Sequence, residues 1–165
     1  MSTPGREQLS AATSQKVADL QWRPVDPHSP SGARVATLWG DPLSGPYGAL
    51  LRVPAGFELP MHRHLSDERV VVIDGATIHW AEGDDRRTAP IMRSGDYLLI
   101  PAGVNHASAA TAGEECLELI TQDGRFDCTL AAPQGGLDIM KIISFGGTRN
   151  LAQRAVAEDS AGTPR

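Results

Sequence analysis

The chain has 165 residues and a formal net charge of −5; 41% of its residues are hydrophobic and only 5% aromatic. That length suits one domain with a sizeable core, and the acidic balance argues against a general nucleic-acid footprint. No apolar run approaches a membrane span and the polar start, MSTPGREQLSAATSQK, lacks the apolar centre of a secretory signal, so a cytoplasmic protein is expected, with no nucleic-acid or membrane partner.

Residues 1–16 are rich in Ser, Ala, Thr and Gln, with an apolar stripe sufficient only for a transient helix. Residues 17–22 read as a first short strand, followed by a loop punctuated by Pro24, Pro27 and Pro30. The β-branched and aromatic run RVATLW predicts a strand over 34–39, and YGALLRV a second over 47–53. FELPMHRH, residues 57–64, is extended; Pro60 removes a ladder donor, which predicts an edge or bent strand. ERVVVI, residues 68–73, is the most strand-like run, and Asp74-Gly75 is a hairpin signal that predicts ATIHW, residues 76–80, as its antiparallel partner.

The charged stretch 81–90 reads as a turn, and Ile91 and Met92 lead into another at Arg93-Ser94-Gly95. DYLLI predicts a strand over 96–100, after which Pro101-Ala102-Gly103 turns the chain past His106. CLELIT, residues 116–121, alternates, with Leu117, Leu119 and Thr121 on one face and Cys116, Glu118 and Ile120 on the other. Residues 126–130 form a last strand; further on, 139–145 suit a strand and 149–157 a short helix capped by Thr148, before a disordered end. About eight to ten short strands with no long helix imply an antiparallel sandwich or barrel. Cys116 and Cys128, the two cysteines, read as packed thiols rather than a disulfide framework.

The stretch GFELPMHRHLSDERVVVIDG, residues 56–75, carries the chemistry. His62 and His64 sit at i and i+2, so in extended chain both face one side. Glu68 follows, and imidazole and carboxylate are common metal ligands. The adjacent Asp67 must then face away, leaving Arg69 for a salt bridge. His28 reads as an exposed loop residue. His79, beside Trp80, has no decided face, and packing competes with ligation there.

These residues fall into a pattern. Gly56, His62, His64, Glu68 and Gly75 have the spacing G-x5-H-x-H-x3-E-x6-G, and Gly95, Pro101, Gly103 and His106 the spacing G-x5-P-x-G-x2-H. In both motifs, and in the 19 residues between them, the chain resembles a small single-domain cupin of the RmlC-like superfamily. The wording around the first motif is also similar to the cupin domains of ChrR-type anti-sigma factors. One position departs: Ala110 stands where the family often has Asn, which is not a metal ligand there.

The resemblance implies an all-β fold, the cupin double-stranded β-helix or jelly-roll barrel, over residues 34–130. Irregular N- and C-terminal extensions would occupy 1–33 and 131–165. It implies one divalent transition metal per chain, held by His62, His64, Glu68 and His106. Mixed nitrogen and oxygen ligation suits Fe(II), the favoured ion, or Mn, Ni, Cu, Co and Zn, and is too nitrogen-rich for Ca or Mg. Four ligands on an octahedral ion leave two positions for a chelating substrate and dioxygen. The leading expectation is therefore an oxidoreductase of dioxygenase type acting on a small metal-chelating molecule. A non-redox isomerase, cyclase, lyase or decarboxylase would need a separate acid or base, for which His79 and Tyr97 are the candidates. A metal or small-molecule sensor without turnover is the third expectation. A homodimer is implied by the resemblance, and Phe57, Met61, Trp80 and Tyr97 are candidates to line the pocket.

Overall fold

A computed structural model describes residues 12–29 and 32–131. Eleven strands occur among these residues: β1 Arg23–Pro24, β2 Arg34–Gly40, β3 Tyr47–Val53, β4 Glu58–Arg63, β5 Glu68–Asp74, β6 Ala76–Ala81, β7 Ile91–Arg93, β8 Tyr97–Ile100, β9 His106–Ala110, β10 Cys116–Gln122 and β11 Thr129–Leu130. They form two antiparallel sheets, in the orders β1-β2-β3-β10-β5-β8 and β11-β4-β9-β6-β7. The expected all-β jelly roll is what forms. Among the described residues no helix is long and apolar enough to cross a membrane.

Several local expectations are corrected. Residues 17–22 do not form a strand; Val17–Asp19 is a single 3₁₀ turn. The first strand lies instead in the predicted loop, where Arg23 and Pro24 pair with Val35 and Arg34. Pro24 is tolerated because β1 lies at the sheet edge, where a missing N–H breaks no ladder. The Asp74-Gly75 turn does not close a hairpin. β5 pairs with β8 and β10, while β6 pairs with β7 and β9, so this turn passes the chain from one sheet to the other. Gly75 has φ +74, and a Cβ there would sit 2.1 Å from the Glu115 carbonyl oxygen. Glycine is needed for that positive φ and close approach, with or without a hairpin.

Ile91–Arg93 and His106–Ala110 form strands where connections are expected, and the last strand shrinks to Thr129–Leu130. The latter two segments lack a clear hydrophobic alternation of their own and gain strand structure by pairing with β6 and β4. The strand and helix expected over 139–145 and 149–157 lie outside the described residues.

The main core lies between the sheets. Val35, Leu51, Val70, Val72, Ile100 and Ile120 are buried there, supplied by alternate positions of the first sheet's strands. Trp80 packs with Ala107, Ala109, Met61 and Ile78 in a separate cluster. These residues alternate along β6 and β9 with the inward-facing positions, so they cover the second sheet's outer face. Cys116 and Cys128 are buried free thiols, as expected.

Candidate metal centre

β4 carries Pro60 in a bulge. The β4–β9 register runs Glu58 to Ala109 and Leu59 to Ser108, then shifts so that His62 lies opposite His106. A bulge bends the strand and re-aims its side chains, and Pro60, having no N–H, fits where the ladder is interrupted. β4 is not at the edge of its sheet, because β11 pairs along its end at Arg63 and His62. The chain beyond β4 is tied to the loop before β9: the Gly103 amide donates to the His64 carbonyl at 2.8 Å, and the Ala102 amide donates to Asp67 Oδ1 at 2.9 Å. Asp67 thus faces that loop. Arg69 pairs with Asp123 at 2.9 Å, the surface role the sequence anticipates.

His62, His64 and His106 are brought together, and all three are buried. One nitrogen from each ring lies within 4.8 Å of the other two. The opposite nitrogen of each ring is held by the backbone. His62 Nδ1 lies 2.6 Å from the Pro60 carbonyl, His106 Nδ1 lies 3.0 Å from the Val104 carbonyl, and His64 Nδ1 meets the Asp127 carbonyl. A carbonyl only accepts, so each Nδ1 carries the proton and each Nε2 presents its lone pair to the shared centre.

Glu68 lies beside this group. Its Oε2 is 3.7 Å from His64 Nε2, and its Oε1 accepts a hydrogen bond from Gln122 Nε2 at 3.2 Å. Burial pushes the Glu68 carboxyl up, opposed by the neighbouring His64 and the Gln122 bond. Burial also pushes His62 down to about 4, and burial with the nearby His62 ring pushes His106 down to about 3. Both rings are therefore neutral near pH 7, the form that ligates a metal.

These residues fit a divalent transition ion. Three lone pairs converging in a buried site form an acceptor-only cluster, which a cation completes. Backbone carbonyls behind the rings are the outer support that metal-binding histidines usually have.

The group lines a cavity of about 60 Å³ whose other walls include Val70, Leu98, Ile100, Ile120, Phe126 and Cys128. That is room for roughly four or five water-sized spheres. Phe57, Met61, Trp80 and Tyr97 are not among the lining residues. Phe57 packs against the main core and Met61 against the Trp80 cluster. Tyr97 lies on the outer side of β8, 56% exposed.

His79 faces inward on β6. Its Nδ1 is 3.0 Å from Ser108 Oγ and its ring centroid 5.2 Å from that of His106. Burial holds its pKa below the usual value.

Gln122 and Glu118 lie outside both motifs. Gln122 is 1% exposed and Glu118 is 4% exposed, and both point into the barrel from β10. The alternation over 116–121 signals two faces, but it does not say that the face carrying the acid is the inner one.

The molecule is similar to solved structures of this architecture. An RmlC-like cupin from Ralstonia eutropha JMP134 matches with TM-score 0.61 and 19% identity, over 80% of each chain. DMSP lyase DddQ from Ruegeria pomeroyi DSS-3 matches with TM-score 0.58 and 21% identity, over 72% of this chain and 64% of that one. A structure of Rhodobacter sphaeroides SigE in complex with the anti-sigma ChrR matches with TM-score 0.51 and 26% identity, over 66% of this chain and about half, 51%, of that one. No curated protein sequence matches the chain. Residues 10–126 match the model of the ChrR cupin-like domain, and the chain belongs to that family.

Proposed function

From that membership and the geometry of the cavity we propose a cytoplasmic, metal-dependent enzyme that converts a small metal-chelating organic molecule, most simply as a dioxygenase. The observation that carries the reading is the set of three imidazoles, each with Nδ1 held by a backbone carbonyl and Nε2 turned to a common point beside Glu68. His62, His64, Glu68 and His106 are the proposed ligands. A bound Fe(II) would supply Lewis acidity and redox reactivity toward dioxygen.

The chain's own residues prepare the site. The carbonyls of Pro60, Val104 and Asp127 fix ring orientation and tautomer. Gln122 orients Glu68. Val70, Leu98, Ile100 and Ile120 wall the cavity with hydrocarbon, which excludes water and strengthens every charge interaction within it.

The test is anaerobic purification, loading with Fe(II), and measurement of oxygen consumption across chelating enols, diols and catechols. Turnover coupled to oxygen uptake is expected. No uptake with any redox metal would overturn the dioxygenase assignment, and zinc-supported turnover unchanged under argon would replace it with Lewis-acid chemistry. Homodimerisation through outer strands belongs to the same reading and is tested by sedimentation. A second reading, metal-dependent recognition of a protein partner without turnover, draws on the 26% identity to the SigE–ChrR complex. A partner retained by the zinc-loaded protein and lost on chelation, with no chemistry on any substrate, would favour it.

A further inference from the structure

The cavity has a second polar pole. Glu118 lines it from β10, together with Thr77 from β6. Glu118 is 4% exposed and Thr77 3% exposed. In the β10–β5 register Gln122 lies opposite Glu68, and Glu118 lies opposite Val72. Glu118 is therefore four residues along the strand from the Glu68 level, a span of about 13 Å. Between the two levels the inward positions are Val70 and Ile120, both apolar and both buried. The ladder has a register shift at Leu117/Glu118, and bulges of this kind re-aim a side chain.

Among the described residues the carboxyl meets only neutral donors, a thiol and a shared hydroxyl. Glu118 Oε1 receives a weak bond from Cys116 Sγ at 3.6 Å. Thr77 also hydrogen-bonds Glu118, but its single hydroxyl hydrogen is contested by the Ala109 carbonyl at 3.3 Å. Among the described residues no ion pair reaches Glu118. The titratable groups acting on it are Cys116 on its own strand and Glu68 on β5; opposite it β3 offers Leu51. Burial pushes the carboxyl up to about 7. A barrel built only for stability would place a hydrocarbon side chain here, because a buried carboxyl without a cation is costly.

We propose that Glu118 is the ligand-recognising floor of this cavity, and that the barrel takes a small bipolar molecule with an oxygen head for the metal and a hydrogen-bond donor, hydroxyl or ammonium, at its tail. The apolar belt of Val70 and Ile120 matches the hydrocarbon link between the two ends. This assignment extends the proposed metal-dependent function by naming the ligand class, and it rests on that reading for the head group only.

The experiment is calorimetric titration of the zinc-loaded full chain with a graded series of unsubstituted, ω-hydroxy and ω-amino carboxylates, from 3-aminopropanoate to 5-aminopentanoate and their analogues. At the best length, the wild type is expected to bind the ω-amino and ω-hydroxy acids at least tenfold tighter than the unsubstituted acid. E118L is expected to bring both ratios to about one while leaving zinc stoichiometry unchanged. The isosteric E118Q is expected to keep the hydroxyl preference and lose the ammonium preference, which guards against a folding defect in the leucine variant. Equal binding of all probes, no binding of any, or a preference that survives in E118L overturns the proposal. If zinc does not bind, the metal reading fails separately, and the same ratios in metal-free protein decide the role of Glu118.

Discussion

The two sheets bring opposite chemistry to one cavity. The smaller sheet supplies nitrogen, through His62 on β4 and His106 on β9, with His64 just beyond the end of β4. The larger sheet supplies oxygen, through Glu68 on β5 and Glu118 on β10. One physical cause acts on both. Desolvation is the largest influence at His62, His106, Glu68 and Glu118, and it pushes those two imidazoles down and the two carboxyls up. Both shifts favour the uncharged form, because charge is what burial penalises. The lesson is that a shared low-dielectric interior makes bases weaker and acids weaker alike. An ion at the imidazole end changes that balance first for Glu68, which lies beside His64, whereas Glu118 lies a long step down the strand.

The comparison breaks most sharply if the nitrogen side is opened. H106A is expected to lose the metal, dropping from one equivalent per chain to a small fraction, with an affinity loss beyond the roughly 10- to 100-fold typical of an outer-shell change. Elemental analysis of dialysed protein reads this, and full retention of metal would refute the site. On the oxygen side the outer-shell change Q122A removes the bond to Glu68 Oε1, and a loss of about tenfold in zinc affinity is expected, measured by competition with a chromophoric chelator.

The two sides also respond to pH with opposite sign. His62 and His106 have folded pKa values below the unfolded value, so the unfolded chain binds protons more readily than the fold. Their contribution is intact above about 6.5 and is lost as pH falls toward about 4 and 3. Glu118 has a folded pKa raised from 4.5 to about 7, so its contribution is complete below 4.5 and is lost as pH rises through about 7. E118Q abolishes the contribution of Glu118. Relative to wild type, the metal-free variant is expected to gain about 3 kcal/mol between pH 4.5 and pH 8. Urea denaturation across that range measures the difference; a pH-independent difference would mean that Glu118 is ionised in the fold. The smallest effect belongs to the outer surface. R69A breaks the exposed pair with Asp123, and its cost is expected to stay below about 1 kcal/mol with metal affinity unchanged in the same assays.

How far the site was legible depends on the carrier of the signal. His62, His64, Glu68 and His106 are fixed in spacing by two motifs, and those spacings encode real geometry: an i, i+2 pair on one strand face, then glycines and prolines at the turns. The Asp74-Gly75 signal was equally clear but local, and a turn residue records its own φ rather than which strand pairs with which. Gln122 and Glu118 were illegible for the opposite reason. Hydrophobicity normally tells the inner face of a strand, and in β10 it misleads, because Leu117 and Leu119 are half-buried while Glu118 and Gln122 are buried. β9 was missed because HASAA has no marked alternation; its partners β4 and β6 make it a strand.

The all-β class, the family motifs and the residue types available to a metal are written in the chain itself, because periodicity, turn chemistry and ligand spacing are local properties. Sheet pairing and packing decide that the Asp74-Gly75 turn crosses between sheets, that His64 Nδ1 meets the carbonyl of Asp127, and that an acid rather than a leucine enters the barrel at Glu118. Each of these is a relation between residues distant along the chain, set by sheet register and by which face is sealed from water, and no local pattern carries that information.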